Sequence, residues 1–169
     1  MLIIVVLETK NKEGSDYIYF KSVLSRFYQE RGTGIVIKPI FMNGKGNYDK
    51  VESKIREWIN KYEENYHVIY FFDVDNTELK CDQHKLNKEI IDYCSQKNYD
   101  IVWYNKTVED VLLGDVIVKN KTKIANNFFI TNKINSIKEE NLNIKQFDLI
   151  TYKKSNVKYI LDKYLIKNN

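Results

Sequence analysis

The chain opens on an unbroken apolar run, Leu2-Ile3-Ile4-Val5-Val6-Leu7, that ends at Glu8. A short β-branched run without polar alternation predicts a strand buried on both faces of a parallel sheet. After a polar loop at 9–14, Tyr17, Phe20, Val23, Leu24 and Phe27 recur at three- and four-residue steps. That period predicts a helix with one apolar face, capped by Ser15 or Asp16 and stopped before Gly32 and Gly34. A second strand is predicted over 35–41. It carries the one proline of the chain, Pro39, and a residue without a ladder donor argues for an edge position. The loop Asn43-Gly44-Lys45-Gly46-Asn47 leads to a helix over 48–64, with Val51, Ile55, Trp58, Ile59 and Tyr62 inward.

His67-Val68-Ile69-Tyr70-Phe71-Phe72 repeats the character of the first strand and surfaces at Asp73-Val74-Asp75-Asn76. A helix over 83–96 follows, with Leu86, Ile90, Ile91 and Tyr93 toward the core, then a strand over 100–104. Four strands separated by three helices predict an α/β domain with a mostly parallel, four-stranded sheet flanked by helices. Beyond Tyr104 the pattern thins. Residues 107–113 read as a short helix capped by Thr107, 116–118 as a short strand or extended link, and 126–144 show no firm period. Val157, Ile160, Leu161, Tyr164 and Leu165 predict a last amphipathic helix. The expected organisation is an α/β domain over 1–115 with a mostly helical extension over 116–169 packed on it.

Composition changes this picture little. Over 169 residues, 43% hydrophobic and 14% aromatic content supplies a packed core and argues against disorder. A net charge of +4 permits a nucleic-acid partner without demanding one. Cys81 and Cys94 lack zinc spacing and read as reduced structural thiols. No run approaches a membrane span or a signal peptide, so a cytoplasmic protein without a membrane partner is expected.

Candidate chemistry sits where strands end. In parallel sheets the functional crevice lies beyond the carboxyl ends of the strands. Glu8 and Asp73 both stand there, with Asp75 two residues on. Oxygen-rich groups at such a rim suit a hard cation, Mg²⁺ with Mn²⁺ as an alternative. Asp73 is expected to bind it directly, Asp75 through water or at a second ion, and Glu8 to complete the set or act as acid and base. Glu109, opening the helix after the fourth strand, faces the same crevice or simply favours its helix dipole. Gly44, Lys45 and Gly46 form a loop able to present N–H groups and one cation to a phosphate. The lysines of 119–123 read as solvated surface.

A glutamate at the first strand end followed by Asp-x-Asp at a later one resembles the Toprim domain of topoisomerases, primases and OLD-type nucleases. The family glutamate corresponds to Glu8, or to Glu13 with its Gly14. RloB-like proteins, a Toprim-like branch linked to restriction and abortive infection, are similar in more places. Glu13-Gly14 precedes Tyr19-Phe20, Gly44-Lys45-Gly46 precedes a helix, and Asp73-Val74-Asp75 follows a strand. The stretch Asn105-Lys106-Thr107-Val108-Glu109, with Leu112-Leu113, corresponds to a later family motif whose proline and tryptophan are missing here. The resemblance implies a Toprim-like, Rossmann-like fold over the first 115 residues and a Mg²⁺-dependent nuclease or nucleic-acid-processing protein in phage defence. Glu8, Asp73, Asp75 and Glu109 would then be catalytic, and nucleic acid and a protein from the same operon the partners. Two other readings stand beside it: a non-catalytic nucleic-acid- or protein-binding subunit that keeps the fold, and a flavodoxin-like or receiver-like domain.

Overall fold

A computed structural model describes residues 1–29, 32–62, 65–75, 81–115, 117, 119–145 and 152–168, and of Cys81 the backbone alone. Its sheet contains β1 (Leu2–Leu7), β2 (Val36–Phe41), β3 (Tyr66–Asp73), β4 (Asp100–Asn105) and β5 (Lys154–Ser155). They lie in the order β2-β1-β3-β4-β5. β1 pairs in parallel with β2 and β3, and β3 with β4, while β5 runs antiparallel to β4. The helices are α1 (Ser15–Phe27), α2 (Glu52–Tyr62), α3 (Cys81–Lys97), α4 (Val108–Leu113), α5 (Lys121–Ile130) and α6 (Val157–Leu161). No helix among the described residues is long and apolar enough to cross a membrane.

The continuous apolar character of β1 follows from its place at the centre. Successive side chains of a strand point to opposite faces. Ile3, Val5 and Leu7 enter a core with α1, α4, α5 and α6, while Leu2, Ile4 and Val6 enter another with α2 and α3. The result is the expected α/β architecture, a mostly parallel sheet with helices on both faces. β2 lies at the edge, as its proline required. The Val36 N–H bonds to Met1 O and the Met42 N–H to Leu7 O, so even positions donate inward and Pro39 falls on the outer side, where no donor is needed.

Among the described residues the sheet has five strands rather than the four expected. Ser155 and Lys154 pair with Tyr104 and Asn105, and a two-residue strand carries no period for the sequence to show. Beside it, Asn156 Oδ1 accepts the Trp103 N–H at 3.0 Å while its Nδ2 donates to Ile101 O at 2.8 Å. The side chain thus serves β4 as a surrogate strand. The region expected to lack a period resolves into α5 and two 3-10 turns, Lys133–Ser136 and Glu139–Leu142. Its buried residues, Ala125, Phe128, Ile134 and Leu142, are spaced by these interruptions and join the α1 core.

Two further expectations are corrected. α2 starts at Glu52 and not at Tyr48, because Lys45–Asn47 winds a 3-10 turn and residues 48–51 continue as turns; positions 63–64 lie outside the described residues. α6 ends at Leu161, and the buried Leu165 comes from the turns beyond it. Asn76, Val116 and Val118 lie outside the described residues. Cys94 is free and buried, and burial pushes its thiol up to about 12, so it packs rather than reacts.

Asn156→Ala removes both partners of the β4 edge at once. Leaving a buried N–H and C=O unpaired costs about 1–3 kcal/mol each. Urea denaturation is expected to show a midpoint lowered accordingly, with an unchanged slope.

Candidate functional site

The strand order reverses between β1 and β3. β2 lies to one side of β1, and the chain then crosses back to place β3 on the other. Such a switch point opens a crevice at the carboxyl ends of the two strands. The register Leu7↔Phe71 sets the end of β1 beside the end of β3. Glu8 reaches across it, and its Oε1 accepts the Asp73 N–H at 2.7 Å. Asp73 in turn accepts the Val108 N–H on Oδ1 at 2.8 Å, which fixes the start of α4. Thr107 Oγ1 caps that helix through the Asp110 N–H at 3.2 Å. Glu109 therefore enters from its first turn and is fully buried, 0% exposed.

A fourth acid arrives from α1. Neither Ser15 nor Asp16 caps that helix; Gly14 holds the cap position without a side-chain bond. Ser15 Oγ instead donates to Asp16 Oδ1 at 3.1 Å. A Cβ on Gly14 would stand 1.4 Å from Thr9 Oγ1, so glycine there lets the loop fold back on itself and bring Asp16 toward the rim. Glu8, Asp16 and Asp73 share the lining of a cavity of about 10 Å³, walled otherwise by Phe71, Tyr104 and Val108 among others. That is about the room that one water needs.

Crowding these acids in a poorly solvated place raises their affinity for protons. Burial pushes Glu8 up to about 7, with Asp16 and Asp75 adding to the effect and Lys45 and the Asp73 N–H opposing it. Asp73 is held well above the usual carboxylate range by burial, and then by Glu8, Asp16, Glu109 and Asp75. Burial likewise raises Asp16; the Ser15 hydrogen bond opposes this, Glu109 adds to it and Lys121 opposes it. Lys121 Nζ lies 3.2 Å from Glu109 Oε2. The other oxygen, Glu109 Oε1, is buried with no hydrogen-bond partner, and so is the hydroxyl of the fully buried Tyr19. The Tyr19 phenol is raised by burial and then by Glu109 and Asp16. A bare carboxylate oxygen in a dry site is costly to leave so.

The structure thus brings Glu8, Asp73 and Glu109 to one rim and adds Asp16. Asp75 stands in a separate clasp. Its φ is 62°, and its Oδ2 lies 2.6 Å from Lys45 Nζ. The same ammonium donates to Asp73 O at 2.6 Å and Asn87 Oδ1 at 3.1 Å. A lysine has three N–H donors, and all three of these are engaged on protein acceptors. Lys45 is 6% exposed; it bolts the loop before α2 to the exit of β3 and to α3, and offers no spare donor to a phosphate. Gly44, at φ 102° where glycine is favoured, spends its N–H on Glu8 O at 2.7 Å. Gly46 lies in the 3-10 turn that follows. Glu13 is exposed on the loop, with its N–H on Asn11 Oδ1, so Glu8 is the glutamate that meets Asp73.

Asp16, Lys121 and Tyr19 were not legible as site residues. An acid in the first turn of a helix reads as a dipole or cap residue, and Lys121 sits in a run of surface-like lysines. The one available signal was that the helix bearing Asp16 starts directly after a rim strand. Among the described residues no three His, Cys, Asp or Glu side chains stand in an arrangement that closes around a metal ion. The donor set is nonetheless of the right kind. It is all carboxylate oxygen, which suits a hard cation, and it includes the bare Glu109 Oε1.

The raised carboxyls fix the sign of a pH effect. A carboxyl with a higher pKa folded than unfolded stabilises the fold in its protonated form. For Glu8 that contribution is complete below its ordinary value of 4.5 and is lost as pH rises through about 7. In chelator, the thermal midpoint is therefore expected to fall between pH 5 and pH 8. Glu8→Gln and Asp73→Asn are expected to melt higher than wild type at pH 8 and to lose most of that advantage at pH 5. Equal melting of the three proteins at both pH values would show that the acids are not buried together.

Comparison with protein-family models, with curated proteins and with solved structures found no match.

Proposed function

We propose that the chain is a Mg²⁺-dependent enzyme acting on the phosphodiester bonds of nucleic acid, with its site on the rim formed by Glu8, Asp16, Asp73 and Glu109. One observation carries the reading: four acids from β1, α1, β3 and α4 converge at the switch-point crevice, and Glu109 Oε1 is left buried and bare. A fold gains nothing from burying like charges, so such a cluster is retained for what it binds. Asp73 and Glu109 would hold a divalent cation, with Glu8 and Asp16 beside them. When bound, that cation supplies charge stabilisation at phosphoryl oxygens and a more acidic water.

The side chains do the rest. Glu8, pushed up to about 7 by burial in the metal-free protein, is the rim group placed to take and return a proton. The Asp73 N–H fixes one of its oxygens, which leaves the carboxyl oriented. Lys45 positions the end of β3 through Asp73 O and Asp75, without touching substrate. Lys121 neutralises part of the rim when nothing is bound. The order Glu8, then Asp73-Val74-Asp75, which resembles the Toprim pattern, supports the same reading. A non-catalytic binding subunit is favoured by a different observation: Lys121 and Lys45 already pair with Glu109 and Asp75, and no three described acids close around an ion.

Cleavage assays on single-stranded and duplex DNA and RNA with Mg²⁺ or Mn²⁺ separate the two. Glu8→Gln and Asp73→Asn are expected to lower cleavage by about a hundredfold or more, in line with the loss of a general acid–base group. Asp16→Asn is expected to act in the same direction, and Asp75→Asn chiefly through stability. Full cleavage by both Glu8→Ala and Asp73→Ala would sink the assignment.

A further inference from the structure

A second feature lies on the side of the sheet away from α1, where the outer edge of β2 meets α2. A groove of about 300 Å³ runs there past Ile40 and Phe41, lined by Lys10, Lys54, Glu57 and Trp58. Lys38, on β2, places its Nζ 4.8 Å from the centre of the Trp58 ring, and Lys61 of α2 places its own at 5.3 Å. Lys61 follows Glu57 by four residues, the spacing of a helical ion pair, yet it leans over the ring and not onto that carboxylate. None of Lys10, Lys38, Lys54 and Lys61 forms an ion pair among the described residues. Lys10 and Lys54 outnumber Glu57 in the lining, and Lys38 and Lys61 on the Trp58 ring add to the positive charge beside it.

Trp58 packs its inner side against the α2 core beside Tyr62, but that packing does not account for the lysines gathered on the rest of the ring. Lys38 and Pro39 alone would protect an edge strand from pairing; they do not account for Trp58, Lys54 and Lys61 on the helix opposite. A flat ring at the surface accepts the face of any base, and unpaired ammonium groups accept phosphates. Duplexes hide their base faces, so this pairing of groups favours a single strand. The groove also has a direction. Lys10 follows Glu8 by two residues, which connects its upper end to the carboxylate rim.

We propose that the groove between β2 and α2 binds single-stranded nucleic acid, one base stacking on Trp58 while Lys10, Lys38, Lys54 and Lys61 take the neighbouring phosphates. In the free protein the ammonium groups of Lys38 and Lys61 occupy the ring by cation–π contact. An arriving base displaces them, and they turn to the backbone that the base brings with it. As a route by which a strand reaches the rim this rests on the phosphodiesterase reading. As a binding site it stands apart.

The test is a fluorescence titration of the whole chain in EDTA with oligothymidylate, oligouridylate and a duplex, each of about twelve nucleotides, a length within the site sizes of single-strand binders. Trp103 is 3% exposed, so quenching reports on Trp58. Both single strands are expected to quench emission and to bind more tightly than the duplex. Trp58→Ala, which removes the reporting ring and is therefore followed by the anisotropy of end-labelled oligonucleotides, is expected to weaken them by about tenfold. Because that change also thins the α2 packing, Lys38→Gln and Lys61→Gln provide the second readout: each lowers the slope of log affinity against log salt by about 0.7. Glu8→Gln and Asp73→Asn bind no more weakly than wild type. The proposal is overturned if neither single strand binds, if the duplex binds as well, or if both lysine variants keep affinity and salt slope. Intact binding without any cleavage in Mg²⁺ overturns the phosphodiesterase reading and leaves the groove standing.

Discussion

Asp73 holds the architecture of the rim through three separate atoms. Its N–H goes to Glu8 at the end of β1, its carbonyl accepts from Lys45 in the loop after β2, and its Oδ1 receives the N–H of Val108 at the start of α4. One residue at the end of one strand thereby fixes the ends of three other segments. Each bond involves a carboxyl or an ammonium group in a poorly solvated place, where hydrogen bonds are strengthened. The placement of Glu109 follows from the third of them, and the seclusion of Lys45 from the second. Where α4 begins, and which way its first turn points, are consequences of where β3 stops.

The same arrangement is electrostatically uneasy. Burial and mutual repulsion raise Glu8, Asp16 and Asp73 together, and the opposing charges are Lys45, spent on β3 and Asp75, and Lys121, spent on Glu109. A core built for stability alone would place apolar side chains there, since buried ionic groups seldom outperform them. Stability given up at one rim is the usual mark of a functional site. The remaining core offsets it through the two-faced packing of β1 and β3 against helices on either side.

The last third of the chain belongs to this economy of charge and edge as well. β5 and Asn156 cover β4, which would otherwise be an open edge. α5 packs on α1 and begins with Lys121, the counter-ion of Glu109. Arg26 of α1 donates to the carbonyls of Ile134 and Ile137, and Tyr28 to Asp162 at 2.7 Å. Among the described residues no strand pairs with the opposite edge, β2. Its protection comes from Pro39 and Lys38, and its charge is what the groove beside α2 exploits.

Hydrophobic period and strand character were enough to determine the α/β class, the four parallel strands, the edge position of β2 and the rim location of Glu8 and Asp73. These depend on contacts within a strand or a helix turn, and a strand buried on both faces must be apolar throughout. Tertiary structure alone decided that Asp16 joins the acids, that Asp75 leaves them for Lys45, that the glycine-loop lysine is a bolt with all its donors engaged, and that two residues near the carboxyl end complete the sheet. Each of those outcomes turns on groups far apart in the chain, such as Glu8 with Asp73 and Trp103 with Asn156. Single residues carry no period, so their meeting is set by how loops fold over the strand ends and is invisible until the sheet has formed.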